Sequence, residues 1–473
     1  MKVLLCASEG TPFIKTGGLA DVIGALPLAL KEQGVDVRVV LPYYKKIKQK
    51  NTATYKGYLY VRIGDSNEYA GVFEEEYQGI KYYFIDSDFY FNRDNLYGYG
   101  DDCFRFAFFN FAILEMLKVL DFYPDIMHVN DWQTGLIPYI LHQNYQEDER
   151  YQKIKTLFSI HNIQYQGQFG RGIIDYLSIP YGLSLEYHFG INFMKSAIID
   201  SDLINTVSKT YKEEVLTDQY GYGLQEVLKY RYDDFYGILN GLDVKRYDPK
   251  TDKYIFKNYS LRNYLSGKQE NKNQLLDMFG LNDGNNSCVF SLVSRLADQK
   301  GIDLFFPIME DLINECDAKF IFMGSGDQNL EDFFRYLESK YPNRFKSYIG
   351  YSDEVAQKIY AGSDVFLMPS KFEPCGLGQM IAMRYGTLPL VRETGGLKDT
   401  VIPYNKYTKE GNGFSFKNYD AYELKNTILM ANDLFKNNYD DFKIMVKKAI
   451  SEDFSWDKSS KEYIKLYKLL MER

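Results

Sequence analysis

Apolar residues along this chain fall into short unbroken runs, and between the runs they recur at helical spacing. Val3-Leu4-Leu5 is one run, residues 35–41 are the next, and between them Leu19, Val22, Ile23, Leu26 and Leu30 keep a helical period. Short runs bounded by turn residues read as buried strands and the periodic segment as a helix packed on them. Residues 2–42 are therefore expected to open the chain as strand, helix, strand. Strand-like runs follow at 58–63, 71–76 and 82–85, with a helix over 105–120. A strand ending in His128-Val129-Asn130-Asp131-Trp132 leads into a helix near Thr134, and another over 155–160 runs into His161-Asn162-Ile163-Gln164-Tyr165-Gln166-Gly167.

A strand-to-helix step at residues 204–208 and the turn signal Asn240-Gly241 close the first half. The alternation restarts with strands at 289–293, 319–323, 345–349, 364–368 and 388–391. Helices are expected over 301–315, 327–340 and 353–361, and again up to Tyr385. Such alternation implies a parallel sheet covered by helices on both faces. The fold class is α/β, with two Rossmann-like domains. The polar run from Asp248 to Lys257 suits the boundary between them, and residues 419–473 read as helices interrupted at Phe454-Ser455-Trp456, with Ser455 as a cap for a last helix over 461–470.

Composition narrows the function. A chain of 473 residues is too long for one core. Its 45% hydrophobic and 25% charged residues are those of a globular protein, and no apolar run approaches the roughly 20 residues of a membrane helix. The N-terminal apolar run is too short for a signal peptide, so a cytoplasmic location is expected. A net charge of −8 argues against non-specific nucleic-acid binding. The five cysteines are scattered without C-x-x-C spacing, which argues against disulfides and zinc. The 43 tyrosines are read as packing residues.

Candidate chemistry sits where strands end. Pro369-Ser370-Lys371-Phe372-Glu373-Pro374-Cys375-Gly376-Leu377-Gly378 follows a strand and precedes a helix, placing Glu373 at the edge where open α/β sheets bind ligands. Gly376 and Gly378 admit a phosphate close to the backbone. Near the start, Lys15 stands beside Gly17 and Gly18 ahead of a helix, without matching G-x-G-x-x-G or the Walker pattern. Thr394-Gly395-Gly396-Leu397-Lys398-Asp399 echoes Thr16-Gly17-Gly18-Leu19-Ala20-Asp21, as if two halves presented similar loops. His128 and His161 lie at strand ends, where a satisfied structural role competes with a site role, more strongly for His128. Asp86-Ser87-Asp88 and Asp200-Ser201-Asp202 have the D-x-D form, a triplet common by chance.

Five motifs in order resemble the signature of bacterial glycogen synthases and plant starch synthases. They are Lys15-Thr16-Gly17-Gly18-Leu19-Ala20-Asp21-Val22, the run from His161 to Gly167, Asn240-Gly241-Leu242-Asp243, Ser294-Arg295-Leu296-Ala297-Asp298-Gln299-Lys300-Gly301, and Phe372-Glu373-Pro374-Cys375-Gly376-Leu377. The resemblance implies a glycosyltransferase-B architecture, with the active site between the domains. It implies an N-terminal domain over 1–243 on the glucan side, a C-terminal domain over 244–453 on the nucleotide-sugar side, and a last helix over 454–473 crossing back. It implies transfer of glucose from ADP-glucose to the non-reducing end of glycogen or another α-1,4-glucan, with retention, and with no cofactor, metal, nucleic acid or membrane.

Carried over by residue, Lys15, Gly17 and Gly18 contact the donor pyrophosphate from the first domain, and Arg295 and Lys300 do so from the second. His161 and Asn240 hold the glucosyl unit, Asp21 lies near the reacting sugars, and Glu373 binds the glucose hydroxyls beside Gly376, Leu377 and Gly378. The sequence departs from many relatives at Asn130, where a second histidine is common, and at Gly378, where threonine is. Ile381 stands where related transferases carry a second glutamate, which is also the bacterial synthase pattern. A sucrose-type or other small-acceptor glucosyltransferase would be expected to keep that glutamate. A catalytically silent glucan binder would have little use for Lys15, Arg295, Lys300 and Glu373.

Overall fold

A computed structural model describes residues 1–174 and 182–473, and the chain divides into two compact units. Unit 1 comprises Met1–Gly241 together with Trp456–Arg473, and unit 2 is Leu242–Ser455.

Among the described residues, unit 1 is built on a nine-stranded sheet ordered β12-β11-β7-β6-β1-β2-β5-β4-β3. Its strands are β1 (Lys2–Cys6), β2 (Asp36–Pro42), β3 (Thr54–Ile63), β4 (Ser66–Tyr77), β5 (Ile80–Asp86), β6 (Ile126–Asn130), β7 (Lys155–Ile160), β11 (Leu203–Thr206) and β12 (Phe235–Gly237). A small separate sheet joins β8 (Gln168–Gly170), β9 (Glu186–Tyr187) and β10 (Gly190–Asn192). The sheet is not wholly parallel, because β3 and β4 form an antiparallel hairpin and β4 runs antiparallel to β5. This hairpin alternates apolar and polar positions, with Leu59, Val61 and Ile63 buried and Tyr58, Tyr60 and Arg62 exposed, as a strand covered on one face should.

The first helix, Gly18–Glu32, buries Leu19, Val22, Ile23, Leu26 and Leu30, the residues that carry the helical period. The helix Asp102–Leu120 is buried on nearly every side, including Phe106, Phe108, Phe109, Phe111 and Ile113, which identifies it as a core helix and not a surface one. The last helix starts at Trp456, several residues before the expected 461, and runs to Glu472. Tyr463, Leu466, Tyr467 and Leu470 form its buried stripe. It packs on the first helix and β7. Gly241 is needed where the chain meets this helix, since a Cβ there would lie 2.6 Å from Trp456 Cα.

Unit 2 holds a parallel sheet ordered β15-β14-β13-β16-β17-β18. Its strands are β13 (Cys288–Val293), β14 (Ala318–Gly324), β15 (Phe345–Ile349), β16 (Val365–Met368), β17 (Leu388–Arg392) and β18 (Phe414–Phe416). Renumbered within the unit this is the order 3-2-1-4-5-6 of a doubly wound Rossmann sheet. Its core joins Phe290, Leu292, Phe320, Phe322, Leu367 and Leu390 of the strands to helix residues such as Leu312, Phe334 and Ile428.

Three local expectations are corrected. The helix expected over 301–315 is interrupted: a turn of 3-10 helix at Ile302–Phe305 precedes the α-helix Met309–Glu315. Pro307 lacks the N–H that continuous helix requires, and Gly301 sits at φ +67°. The helix expected from Thr134 is delayed behind a 3-10 turn at Trp132–Thr134 and begins at Ile137, with Pro138 in its first turn. The polar run from Asp248 to Lys257 is no boundary. The chain changes units between Gly241 and Leu242, and the run packs on unit 2, where the buried Asp252 accepts a 2.5 Å hydrogen bond from Tyr385.

Candidate active site

Apart from Asn240, which follows the edge strand β12, both sheets place the candidate residues past the carboxyl ends of strands at or next to the point where strand order reverses, the crevice in which open α/β sheets take ligands. In unit 1 the reversal lies between β1 and β6, and in unit 2 between β13 and β16.

In unit 1 the chain leaves β1 through Ser8-Glu9-Gly10, and Glu9 organises the next loop. Its buried carboxylate accepts hydrogen bonds from the backbone N–H of Thr16, from Thr16 Oγ1 at 2.8 Å and from the Gly17 N–H at 3.3 Å. Burial raises the Glu9 pKa, and these donors oppose the rise. A Cβ on Gly17 would meet only Glu9 Oε1 at 3.6 Å, and one on Gly18 would meet nothing within 4 Å. Internal packing therefore does not demand these glycines. What their missing side chains leave open is the approach to the start of the first helix. Lys15 pairs with Asp21 at 2.7 and 2.8 Å, its side chain 44% exposed, so the pair is a surface one that an incoming anion can open at small cost.

One strand over, Asp131 follows β6 with φ +55° and ψ −179°, a conformation normally left to glycine. Strain of this kind costs about 1–3 kcal/mol and concentrates at functional sites. Its carboxylate accepts the His161 N–H at 2.8 Å, and burial lifts its pKa to about 7 despite that bond. His161, just past β7, has Nε2 2.9 Å from Asn130 Oδ1. Asn130 Nδ2 donates to the carbonyls of Cys6 and His128, each at 3.1 Å. The amide oxygen is thus the acceptor, His161 carries its proton on Nε2, and Nδ1 is left as a lone-pair nitrogen. Burial lowers the His161 pKa to about 3, so the ring is neutral at pH 7. His128 is a buried structural residue, bonded to Ser159 and Tyr467. Asn240, three residues past β12, is buried with Oδ1 lacking a hydrogen-bond partner among the described residues.

In unit 2 the loops after β13 and β16 lock together. Gly301 approaches so closely that a Cβ would stand 2.0 Å from the Pro369 carbonyl oxygen. Lys371 N–H donates to the Gln299 carbonyl at 2.9 Å, and Gln299 Nε2 to that of Phe372 at 3.2 Å. This docking brings Lys300 Nζ to 2.6 Å from Glu373 Oε2, and Ser370 Oγ donates to the same oxygen at 3.0 Å. The guanidinium of Arg295 is exposed and has no ion pair among the described residues. Gly376 takes φ +73°, which a residue with a Cβ would resist. Gly378 opens the short helix Gly378–Arg384, flanked by Leu377 as its N-cap.

The two echoing loops do different work. Gly396 N–H donates to the Glu373 carbonyl at 3.1 Å, and Cβ atoms on Gly395 and Gly396 would each lie 2.0 Å from the carbonyl oxygens of Glu373 and Cys375. These glycines are set by backbone contact within unit 2, whereas Thr16 and Gly17 are held by a carboxylate. The D-x-D triplets are engaged locally. Lys48 bonds both Asp86 and Asp88, while Asp202 accepts from the N–H of Thr156 at 2.7 Å and from its hydroxyl at 2.8 Å.

Glu9 and Asp131 join the candidate residues of unit 1 without having been singled out from sequence, and Asn130 stands out there only as a departure from many relatives. The one available signal was position, since each lies at or just past a strand end.

Residues 2–230 match the family model described as starch synthase catalytic domain, and residues 276–445 that of glycosyl transferases group 1. The chain is 48% identical over 471 residues to the glycogen synthase of Acholeplasma laidlawii, covering 99% of this chain and 98% of that one. It is 48% identical over 478 residues to that of Clostridium kluyveri, covering all of both. The catalytic domain of starch synthase IV from Arabidopsis thaliana, solved with ADP and acarbose, superposes with a TM-score of 0.90 at 30% identity, covering 100% and 99% of the two chains. Sucrose-phosphate synthase from Thermosynechococcus elongatus, at 16% identity and a TM-score of 0.61, shares the fold. With near-half identity running from end to end, the chain belongs to the bacterial glycogen synthase and starch synthase family of glycosyltransferase-B enzymes.

Proposed function

We propose that this protein transfers glucose from ADP-glucose to the non-reducing end of an α-1,4-glucan, with retention of anomeric configuration. The observation that carries this reading is the Lys300–Glu373 pair at the strand reversal of unit 2, 2.6 Å apart, with Lys300 on the same loop after β13 that carries the exposed Arg295. When the glycosidic phosphate bond breaks, the leaving diphosphate oxygen gains negative charge and the anomeric carbon positive charge. Fixed cations such as Arg295 and Lys300 stabilise that leaving group more in the transition state than before it. Glu373, held by Lys300 and Ser370, is oriented to accept hydrogen bonds from glucose hydroxyls, beside the loop Gly376-Leu377-Gly378.

In this reading unit 2 binds the nucleotide sugar and unit 1 receives the glucan. Lys15 exchanges Asp21 for the diphosphate, at the edge left clear by Gly17 and Gly18. The freed Asp21 lies near the reacting sugars. Neutral His161 accepts a glucosyl hydroxyl at Nδ1, and the buried, unpartnered Asn240 oxygen accepts another. The bound ADP and acarbose of the starch synthase IV structure support a nucleotide and a glucan-like ligand for this class of site.

The test is nucleotide release from ADP-glucose and UDP-glucose, each with and without glycogen. Release of ADP that depends on glycogen is expected, with kcat/KM well above that for UDP-glucose. Comparable values with both donors would remove the ADP assignment, and release indifferent to glycogen would remove the glucan acceptor.

A further inference from the structure

Behind the unit 1 site lies a buried polar chain that none of the roles above uses. It starts on the last helix and ends on it. Tyr467 OH is 2.8 Å from His128 Nδ1, His128 Nε2 is 2.6 Å from Ser159 Oγ, Ser159 Oγ donates to Asn205 Oδ1 at 2.5 Å, and Asn205 Nδ2 donates to Tyr463 OH at 3.3 Å. His128, Ser159, Asn205, Tyr463 and Tyr467 are all fully buried.

Donor bookkeeping gives the chain one direction. Ser159 spends its only proton on Asn205, so it must accept from His128, which places the histidine proton on Nε2. Nδ1 is then a lone pair, and Tyr467 is its donor. The layer is in register with the site. His128 precedes Asn130 by two residues on β6, so the two project from the same face of the sheet, and Ser159 lies two residues before His161, which follows the end of β7. Asn130 stands opposite Ser159 across the two strands, and its amide donates to the His128 carbonyl. The layer that fixes β6 against β7 therefore lies directly beneath the Asn130–His161 bond.

We infer that Tyr467 of the last helix is a positioning residue for glucosyl transfer, holding His128 in its Nε2–H form so that β6 and β7 present Asn130, Asp131 and His161 in register. This rests on the function proposed above. Among the described residues, the ionisable groups facing His128 are Tyr463 and Tyr467 from the last helix and His161 just past β7, while β1 and β7 place Leu5 and Leu157 alongside it. With Nε2–H committed to Ser159, Nδ1 is the acceptor that the Tyr467 hydroxyl satisfies. Tyr467→Phe removes that hydrogen bond and leaves a buried lone pair without its donor.

The experiment uses the full chain. Its four histidines are labelled with nitrogen-15 and read by long-range proton–nitrogen correlation, and initial rates with ADP-glucose and glycogen are measured over pH 5–8. The unmutated chain is expected to show His128 neutral with its proton on Nε2. Tyr467→Phe is expected to lower kcat roughly fivefold, the worth of one neutral hydrogen bond, with KM for ADP-glucose within about twofold. A His128 proton on Nδ1 in the unmutated chain overturns the inference even if the variant fails to fold. So does a folded Tyr467→Phe enzyme with unchanged kcat, even if its melting temperature falls. An unmutated chain that transfers no glucose defeats the proposed function instead, and the spectrum still reports the hydrogen-bond chain without turnover.

Discussion

Replacing Glu373 by Gln tests the pairing at the centre of unit 2. The Lys300 and Glu373 side chains are 17% and 10% exposed and 2.6 Å apart. At an effective dielectric near 20, two unit charges 4 Å apart attract by about 4 kcal/mol, and desolvation offsets part of that. Breaking a buried pair from one side costs about 3–5 kcal/mol, and the residual exposure here points to the lower end. Glu373→Gln should strand the Lys300 ammonium, and Lys300→Met should strand the Glu373 carboxylate. Each should lower unfolding free energy by roughly 2–3 kcal/mol in urea titrations. The double variant strands neither, so a coupling energy of roughly 1–3 kcal/mol should return. Activity should behave differently. Each single change is expected to lower kcat with ADP-glucose by about 10²–10³, because both groups act on the donor, and the double change should not recover it. Stability penalties that simply sum, together with a near-normal kcat for Glu373→Gln, would refute the reasoning.

Lys15→Ala and Arg295→Ala should each reduce kcat/KM for ADP-glucose severely, with a coupling energy above roughly 0.5 kcal/mol in the double-mutant cycle if both cations act on one bound diphosphate. Penalties that add within error would separate their roles. Glu9→Ala should raise KM for ADP-glucose and lower kcat/KM by about tenfold or more, since two backbone N–H groups and a hydroxyl lose a charged acceptor; unchanged kinetics would confine Glu9 to a structural role. His128 and His161 have folded-state pKa values of about 3, against about 6.5 when unfolded, so the unfolded chain binds the extra protons between these values. Stability is then full above about pH 6.5 and falls by about 1.4 kcal/mol per pH unit per histidine as pH drops toward 3. Asp131, raised to about 7, acts in the opposite sense and offsets one histidine. His128→Gln should therefore flatten the acid slope of unfolding free energy by about 1.4 kcal/mol per pH unit, and an unchanged slope would contradict burial of a neutral His128.

What could be read in advance followed from how far each feature reaches along the chain. The α/β alternation is local, so β7 and β15 came out at their observed residues, and the period of Leu19 to Leu30 gave the buried face of the first helix. An apolar period alone predicts one helix over 301–315, whereas Pro307 withholds an N–H in its middle and splits it. The polar run 248–257 reads as a boundary because solvent-facing polarity looks the same on a linker as on a segment lying over a domain. Only burial of Asp252 against Tyr385 tells the two apart. The pairings within each half-site were beyond reach for a simpler reason. Lys300 and Glu373 are 73 residues apart, and Asn130 and His161 are 31. No spacing rule links residues at those distances, and only strand order makes them neighbours.

Asn130 shows what such a pairing adds. In sequence it is only a departure, standing where a second histidine is common. In place, its amide nitrogen supplies both of its protons to the carbonyls of Cys6 and His128, and its oxygen receives the His161 ring. A neutral histidine has one donor and one acceptor nitrogen and could not make all three bonds. The asparagine thus fixes the tautomer of His161 while tying β6 to β1. The departure from the common residue is a coherent local solution, and Asn130→His is expected to loosen His161 and not to improve it.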